Sequence, residues 1–510
     1  MRSALPYLLW IPFTGTAAAL LAFGRFWLQR VIAVVALSAC LVLSVLLLLE
    51  VRSGGILVSR VGGWPAGVGI TLVFDLLSAL VLTVALAVLL CVLIFAIVEP
   101  GTDDEASAFH PSYLAMATGV VLATITGDLF NFFVAFEIIL LASFFLLTFT
   151  AGADGIRAGI TYVVINVVIS ALFLIAIALA YYMTGTVSFA QLAGGISALP
   201  PNVQEVLWAF LFFILGVKAA IFPLFMWLPD SYPVARSPVT AVFAGLLTKV
   251  GVYGIIRMKS VMFPAVSAGK VMVVIAALTM VVGVLGAIAQ SDMKRILSFH
   301  VVSQVGYMIF GVGIATAAGL AGAIFFMLHQ IPVKASLFLV GGVIEEEHRT
   351  TSLKKLGGIA HRRPWLSALF ILAALSLAGF PPFSGFAAKL ALIRAGIDGR
   401  EFAATAVAAI VSILTLYSMM KIWGGAFWGS PEHENLDETP AEKAELPEHD
   451  ESEPIDAALN RSVKHLAIAA AGLVGITLAI ALVAGPLYEL SLRAAEQIMD
   501  PKIYAAAVLK

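Results

Sequence analysis

The chain has 510 residues, 61% of them hydrophobic and only 12% charged, with a mean hydropathy of +1.02. Soluble domains carry about 25% charged residues, so this composition belongs to an integral membrane protein. The formal net charge of −1 implies no bulk polyelectrolyte partner, and the sequence has no basic patch or nucleic-acid motif.

The apolar runs are about 20 residues long, the length of a membrane-crossing helix rather than the short alternating segments of a barrel. In chain order they predict spans at 4–23, 29–50, 70–98, 112–127, 129–149, 158–183, 204–228, 238–258, 269–290, 296–316, 318–344, 365–395, 403–428 and 463–488, with a short amphipathic tail over 491–510. The fold class read from this pattern is an all-α polytopic membrane protein of about 14 transmembrane helices. The first run has the charge and apolarity of a signal peptide. A second long run follows almost at once, after Arg25 and Arg30, so the first reads as a retained helix. Cys40 and Cys91 fall inside apolar runs with no CxxC and no metal spacing, and read as packed thiols.

Lys and Arg in the short loops set the orientation. The richer set comprises Arg25, Arg30, Arg157, Arg236, Lys294, Arg295, Arg349, Lys354, Lys355, Arg362, Arg363, Arg461 and Lys464. The poorer set comprises Arg52, Arg60, Arg257, Lys259, Lys270, Arg394 and Arg400. The richer side is expected in the cytoplasm, which puts both termini outside. The acidic loop Glu99–His110 falls on the cytoplasmic side, where acidic residues count little in this rule. The one long polar stretch, within 429–461, is rich in Glu and Pro and has almost no large apolar residues. It cannot bury a core and reads as a disordered or partner-facing cytoplasmic loop.

Two spans are interrupted. GVKAAIFPLFMWLPDSYP carries Pro223 soon after Lys218, and LSLAGFPPFSGFAAKL carries Gly379, Pro381, Pro382 and Gly385 before Lys389. Proline removes a backbone donor and clashes with the preceding turn, so both helices should break. The breaks lie five spans apart. Paired broken helices at matching positions mark a transporter built from two repeats, and an odd spacing makes the repeats inverted. The expected organisation is residues 1–111 as three N-terminal helices, 112–258 as the first five-helix repeat, 269–428 as the second, 429–461 as the acidic loop, and 462–510 as the last helix and tail.

Charges stand inside these spans: Glu137 in NFFVAFEIILLASFFLL, Lys218 and Lys389 beside the breaks, and Lys249 in AVFAGLLTKVGVYGII. A charge at the centre of a spanning helix costs about 2.5–3.5 kcal/mol even on the lenient insertion scale, so four cost roughly 10–14 kcal/mol. That is comparable to the net stability of an ordinary domain, and a chain that keeps them is expected to move charge through the membrane. Glu137 is the expected partner of Lys218. A nearby carboxylate favours the charged lysine, and moving it away favours proton release. A structural ion pair that only pins helices is the alternative for Glu137, and snorkelling to an interface is the alternative for Lys249.

His329 and Lys334, in FFMLHQIPVKASLFL, are expected to act together beside Pro332. His300, in LSFHVVSQVGYMIF with Ser303, Gln304 and Tyr307, reads either as a relay or as a hydrogen-bonded core residue. Asp75 fits either an interfacial position or pairing with a neighbouring subunit, and Asp128 a loop between the fourth and fifth spans. Side chains so far apart need water between them, which implies a hydrated channel. No GxxxxGK[ST], iron–sulfur cysteine cluster or haem motif occurs, so neither a cofactor nor a metal is expected.

The stretches GDLFNFFVAFEIILL, GVKAAIFPLFMWLPDSYPVARSPVTAVFAGLLTKVGVYGIIR, SDMKRILSFHVVSQVGYM, HQIPVKASLFLVGG and AGFPPFSGFAAKL resemble the antiporter-like subunits shared by respiratory complex I, membrane-bound hydrogenases and Mrp-type sodium/proton antiporters. The resemblance covers about residues 70–430. In detail the chain is similar to D subunits of the Mrp type: it has Lys249 and Lys389, and it lacks the length of an A subunit. Some relatives carry a histidine near the position of Phe243, where this chain is apolar.

The resemblance implies a proton-translocating subunit of a multisubunit electrogenic sodium/proton antiporter in a bacterial or archaeal cell membrane. Its proton-transfer residues would be Glu137, Lys218, Lys249, His329, Lys334 and Lys389, with His300 a further candidate. Its partners would be the other Mrp subunits, including the large A subunit and small membrane subunits. It implies a secondary transporter subunit rather than an enzyme. A proton-pumping subunit of a redox-driven complex is the alternative, and a scaffold whose charges only lock helices is a third reading.

Overall fold

The computed structural model describes residues 2–64, 67–102, 108–149, 152–430 and 453–509. The acidic stretch expected at 429–461 lies mostly in 431–452, outside the described residues. The helices, in chain order, are α1 (Tyr7–Leu21), α2 (Phe26–Gly54), α3 (Leu76–Val98), α4 (Phe109–Ile125), α5 (Leu129–Thr148), α6 (Ala153–Thr184), α7 (Phe189–Ser197), α8 (Pro201–Ala219), α9 (Trp227–Ser231), α10 (Ser237–Val242) and α11 (Thr248–Val261). There follow α12 (Gly269–Ala289), α13 (Met293–Gly313), α14 (Ala317–His348), α15 (Ile359–Arg362), α16 (Pro364–Ala378), α17 (Ser384–Asp398), α18 (Phe402–Ile422), α19 (Glu453–Leu482), α20 (Ala484–Met499) and α21 (Pro501–Leu509).

Among the described residues, 11 helices are long and apolar enough to cross a membrane. Three shorter apolar helices, α1, α4 and α16, accompany them. The chain is a multi-pass membrane protein. The core is α14, which packs against α3, α10, α13, α16, α17, α19 and α20. The most apolar windows of α14 and of Ser237–Val261 are wholly buried. That of α2 is only 33% buried, as expected of a helix whose remaining faces meet lipid.

Both interrupted helices stop where the prolines fall. Helix α8 ends at Ala219, with Ala220 left-handed at φ 60°, and the N–H of Ile221 returns to the Gly216 carbonyl at 3.0 Å. Helix α16 ends at Ala378, with Gly379 left-handed at φ 85°, and the N–H of Phe380 returns to Leu375 at 3.0 Å. The two ends have the same closing geometry.

Other features recur in the same order. Asp128 caps α5 by accepting from the Asn131 N–H at 2.8 Å and forms a bridge with Ser188. Asp292 caps α13 by accepting from the Arg295 N–H at 2.9 Å and forms a bridge with Ser352. A π-helical turn follows each break, at Phe243–Leu247 and Trp423–Trp428.

Four expectations need correction. The third span starts at Leu76 rather than 70, because Thr71–Phe74 is a strand paired antiparallel with Leu57–Arg60 and Asp75 caps the helix. The last span ends at Leu482, since Pro486 has no N–H to offer the Leu482 carbonyl; the tail forms α20 and α21. Arg257 is no loop cation and Asp75 faces no neighbouring subunit: the two form an ion pair, each 2% exposed, with Ser78 and Tyr253 hydroxyls at 2.9 and 2.8 Å from Arg257 Nη2. Lys294, also counted as a loop cation, is buried and paired with Glu345.

Candidate functional site

The first cluster is built on α5, α6 and α8. Glu137, half-buried in α5, accepts a hydrogen bond from the Ser170 hydroxyl of α6. Lys218, in the last turn of α8, donates to Ser170 Oγ at 3.4 Å and to Asn166 Oδ1 at 3.2 Å. Its Nζ lies 5.4 Å from the centre of the Phe136 ring. Sequence alone made Glu137 the direct partner of Lys218; Ser170 stands between them as a shared hydroxyl. A cavity of about 20 Å³ beside Lys218 and Asn166 reaches Leu247, so it has room for about one water.

Helix α11 packs on the end of α8 so closely that a Cβ on Gly251 would lie 2.8 Å from the Ala219 nitrogen. Lys249, two residues earlier, points away from that contact. Its ammonium donates back to the Ala244 carbonyl within the π-turn. Widening of the helix at that turn misaligns the backbone ladder there and leaves a carbonyl for a side chain to use. Lys249 is 2% exposed, which removes the snorkelling alternative.

The second cluster lies on α13, α14, α17 and α18. Lys334 donates to the Leu297 carbonyl of α13 at 3.5 Å. His329 Nδ1 is 2.8 Å from Ser384 Oγ, at the start of α17. These two residues do not form the expected pair. They are five apart on one helix and so face different sides of it. Lys389 donates to the Ala378 carbonyl at 2.8 Å and to Ser412 Oγ at 3.1 Å, and lies 5.2 Å from the centre of the Tyr307 ring. His300 Nε2 is 2.9 Å from Ser418 Oγ. Gln330 donates to Gln304 at 3.4 Å. Helix α14 continues through Pro332.

Lys334 lies within electrostatic range of both Lys249 and Lys389. The two histidines are within range of Lys334 and Lys389. Lys218, Lys249, Lys334 and Lys389 are 6%, 2%, 0% and 3% exposed. Several buried polar atoms in this row have no protein hydrogen-bond partner among the described residues: His300 Nδ1, Gln304 Nε2, His329 Nε2, Gln330 Oε1 and Thr248 Oγ1. Orphans of this kind in one polar row are where buried water is normally held.

Comparison with known proteins adds the lineage. Residues 126–415 match the family described as "NADH:quinone oxidoreductase/Mrp antiporter, TM". The chain is 40% identical over 504 residues to the D subunit of a Na(+)/H(+) antiporter from Alkalihalophilus pseudofirmus, covering 98% of each. It is 35% identical over 487 residues to the D subunit of a Na(+)/H(+) antiporter from Bacillus subtilis, covering 95% of this chain and 94% of the relative. The chain belongs to this antiporter family. In structure it is similar to a chain of the Mrp complex from Dietzia sp. DQ12-45-1b, with a TM-score of 0.89, 37% identity and coverage of 100% and 99%. A chain of an archaeal membrane-bound sulfane sulfur reductase shares the fold at a TM-score of 0.84 and 24% identity.

Of the proton-transfer candidates read from the sequence of this member of the antiporter family, Lys218, Lys249, His300, His329, Lys334 and Lys389 are buried, and Glu137 is half-buried beside the first cluster. Sequence reasoning missed Asn166, Ser170, Ser384, Ser412, Ser418 and Gln330. These are neutral and short or singly placed, and they read as ordinary helix residues. A signal did exist for Ser384, which sits inside the FPPFSG break.

Proposed function

We propose that this chain works as the D-type member of a multisubunit sodium/proton antiporter, and that protons cross it along Glu137, Lys218, Lys249, Lys334, His329 and Lys389, with His300 at the side. It is a transporter subunit and not an enzyme, and its partners are the other subunits of an Mrp-type complex. The observation that carries this reading is the set of four lysines, none more than 6% exposed, buried in a chain whose whole length is similar to antiporter D subunits.

The contacts support the following order of steps. When Glu137 and Ser170 hold Lys218, the charged ammonium is favoured. Loss of that contact favours release of a proton into the cavity beside Leu247, from which Lys249 can take it. Lys249 passes it through water to Lys334. Water beside His329 and Gln330 carries it on to Lys389. Neighbouring subunits couple this flow to sodium extrusion.

The matching pairs of features support a reading of residues 112–258 and 269–428 as two inverted five-helix repeats in a chain of about 14 spans. The pairs are the Asp128 and Asp292 caps, the two helix ends, the two π-turns, and the lysines over Phe136 and Tyr307. In this reading the face bearing Arg236, Lys294 and Arg349 lies in the cytoplasm and both termini lie outside.

The test is sodium-dependent proton flux by the purified intact complex in proteoliposomes. Exchange without any electron donor supports the antiporter. Proton movement that requires an electron donor would support the redox-driven alternative.

A further inference from the structure

At the end of the molecule where α3, α10, α13 and α14 meet, a cavity of about 300 Å³ lies outside the row described above. Its walls carry Glu99, Arg236, Ser237, Lys294, Glu345 and Arg349. We propose that this cavity is a proton port of the central row, with Glu99 as the carboxylate that takes up the proton at the membrane surface. The inference rests on the reading of the row as a proton path.

Glu99 follows the last residue of α3 and is 6% exposed, yet it lines a cavity large enough for several waters. It accepts a hydrogen bond from the Thr102 hydroxyl. The basic groups nearby are otherwise engaged. Lys294 is paired with Glu345 and donates to the Ala235 carbonyl at 3.2 Å. Arg236 donates to the Pro100 carbonyl at 2.9 Å. Glu346 and Arg349 complete the charged lining. The acidic run 103–105 follows Thr102 and lies outside the described residues.

The cavity shares α13 and α14 with the row, through Lys294 and Gly342. Lys294 stands one helical turn from Leu297 on α13, and the Leu297 carbonyl accepts from Lys334. Gly342 of α14 lines the cavity about 12 Å along the helix from Lys334. A hydronium ion gives its proton to the Glu99 carboxylate, and the resulting acid returns it through cavity water toward Lys334. A permanently ionised or permanently neutral group could not do both.

Burial pushes the Glu99 carboxyl up to about 7; the Thr102 hydrogen bond, Arg236 and Lys294 oppose that rise, and Glu345 adds to it. The group therefore changes charge near neutral pH, protonated below about pH 7 and ionised above it.

The test uses the assembled complex in vesicles of both orientations, varying pH only on the face that bears Arg236 and Arg349. Wild-type proton flux is expected to saturate below about pH 7. Glu99→Gln is expected to lose that saturation and to reduce flux at pH 8 at least about ten-fold. Glu99→Gln with the wild-type half-saturation pH overturns the port. If Glu99→Gln lowers assembly, Thr102→Val carries the test: without the hydroxyl the carboxylate is less favoured, so half-saturation should move to higher pH, and an unmoved midpoint overturns the proposal. Lys218→Ala, run alongside, tests the underlying path. Flux surviving in that variant rejects the path itself, whereas flux lost there and unaltered in Glu99→Gln rejects only the port.

Discussion

Glu137 and Lys218 communicate through one hydroxyl: Ser170 donates to the carboxylate and accepts from the ammonium at 3.4 Å. A shared hydroxyl can pass between partners by rotating, so the carboxylate influences Lys218 without locking it. Ser170→Ala should remove both bonds and leave the charges in place. Hydrogen bonds to charged groups are worth about 1.5–3 kcal/mol, so transport should fall about ten-fold or more, short of the complete loss expected for Lys218→Ala. Initial exchange rates in vesicles, normalised to assembled complex, check this.

The Asp75–Arg257 pair is structural, at the opposite end of α3 from Glu99. Removing one member leaves a buried charge, at a cost of about 3–5 kcal/mol. Arg257→Ala should therefore lower the melting temperature and yield of the complex, whereas the double change Asp75→Leu with Arg257→Met should recover most of the stability. Thermal unfolding in detergent distinguishes the two outcomes. Equal loss in the single and double variants would assign the pair a role beyond charge compensation.

Gly385 allows α17 to start hard against α16 and His329. A Cβ there would lie 1.8 Å from the Ser376 carbonyl oxygen and 3.0 Å from His329 Nε2. Gly385→Ala must displace Ser384 from His329, and overpacking of this kind costs about 1–3 kcal/mol. Exchange should drop more steeply than complex abundance, as measured on the same membranes.

Asp128 and Asp292 hold equivalent caps. Replacing either by alanine should cost about 0.5–2 kcal/mol of stability, while Asn at either position should retain most of it. Burial raises the Asp128 carboxyl above its ordinary value, and the Asn131 and Phe130 N–H groups oppose the rise. A raised folded-state value means this carboxyl's contribution is present at acid pH and fades as pH climbs past it. Thermal stability of Asp128→Asn should therefore depend less on pH than that of the wild type.

The sequence made the membrane class, the two breaks and the buried lysines legible, because apolar length, proline chemistry and misplaced charge are local signals. Pairing was less legible. Arg257 looked like a loop cation because its partner lies 182 positions away and only folding brings them together. Lys294 was misread for the same reason. His329 and Lys334 looked paired because they are near in sequence, yet helical geometry aims them at different neighbours. The hydroxyls and amides that connect the charges carried no signal, since a serine or asparagine on an apolar helix is common without any role in transport. The hairpin of Leu57–Arg60 with Thr71–Phe74 is four residues a side, too short to stand out beside a long apolar run.

The central claim is that protons cross through the buried row and that Lys218 is indispensable to it. The most direct measurement is sodium-dependent proton flux in proteoliposomes holding equal amounts of intact wild-type, Lys218→Ala and Glu137→Ala complex. The account predicts exchange in the wild type and none above background in either variant, while all three complexes remain assembled. Wild-type exchange in an assembled Lys218→Ala complex would contradict it.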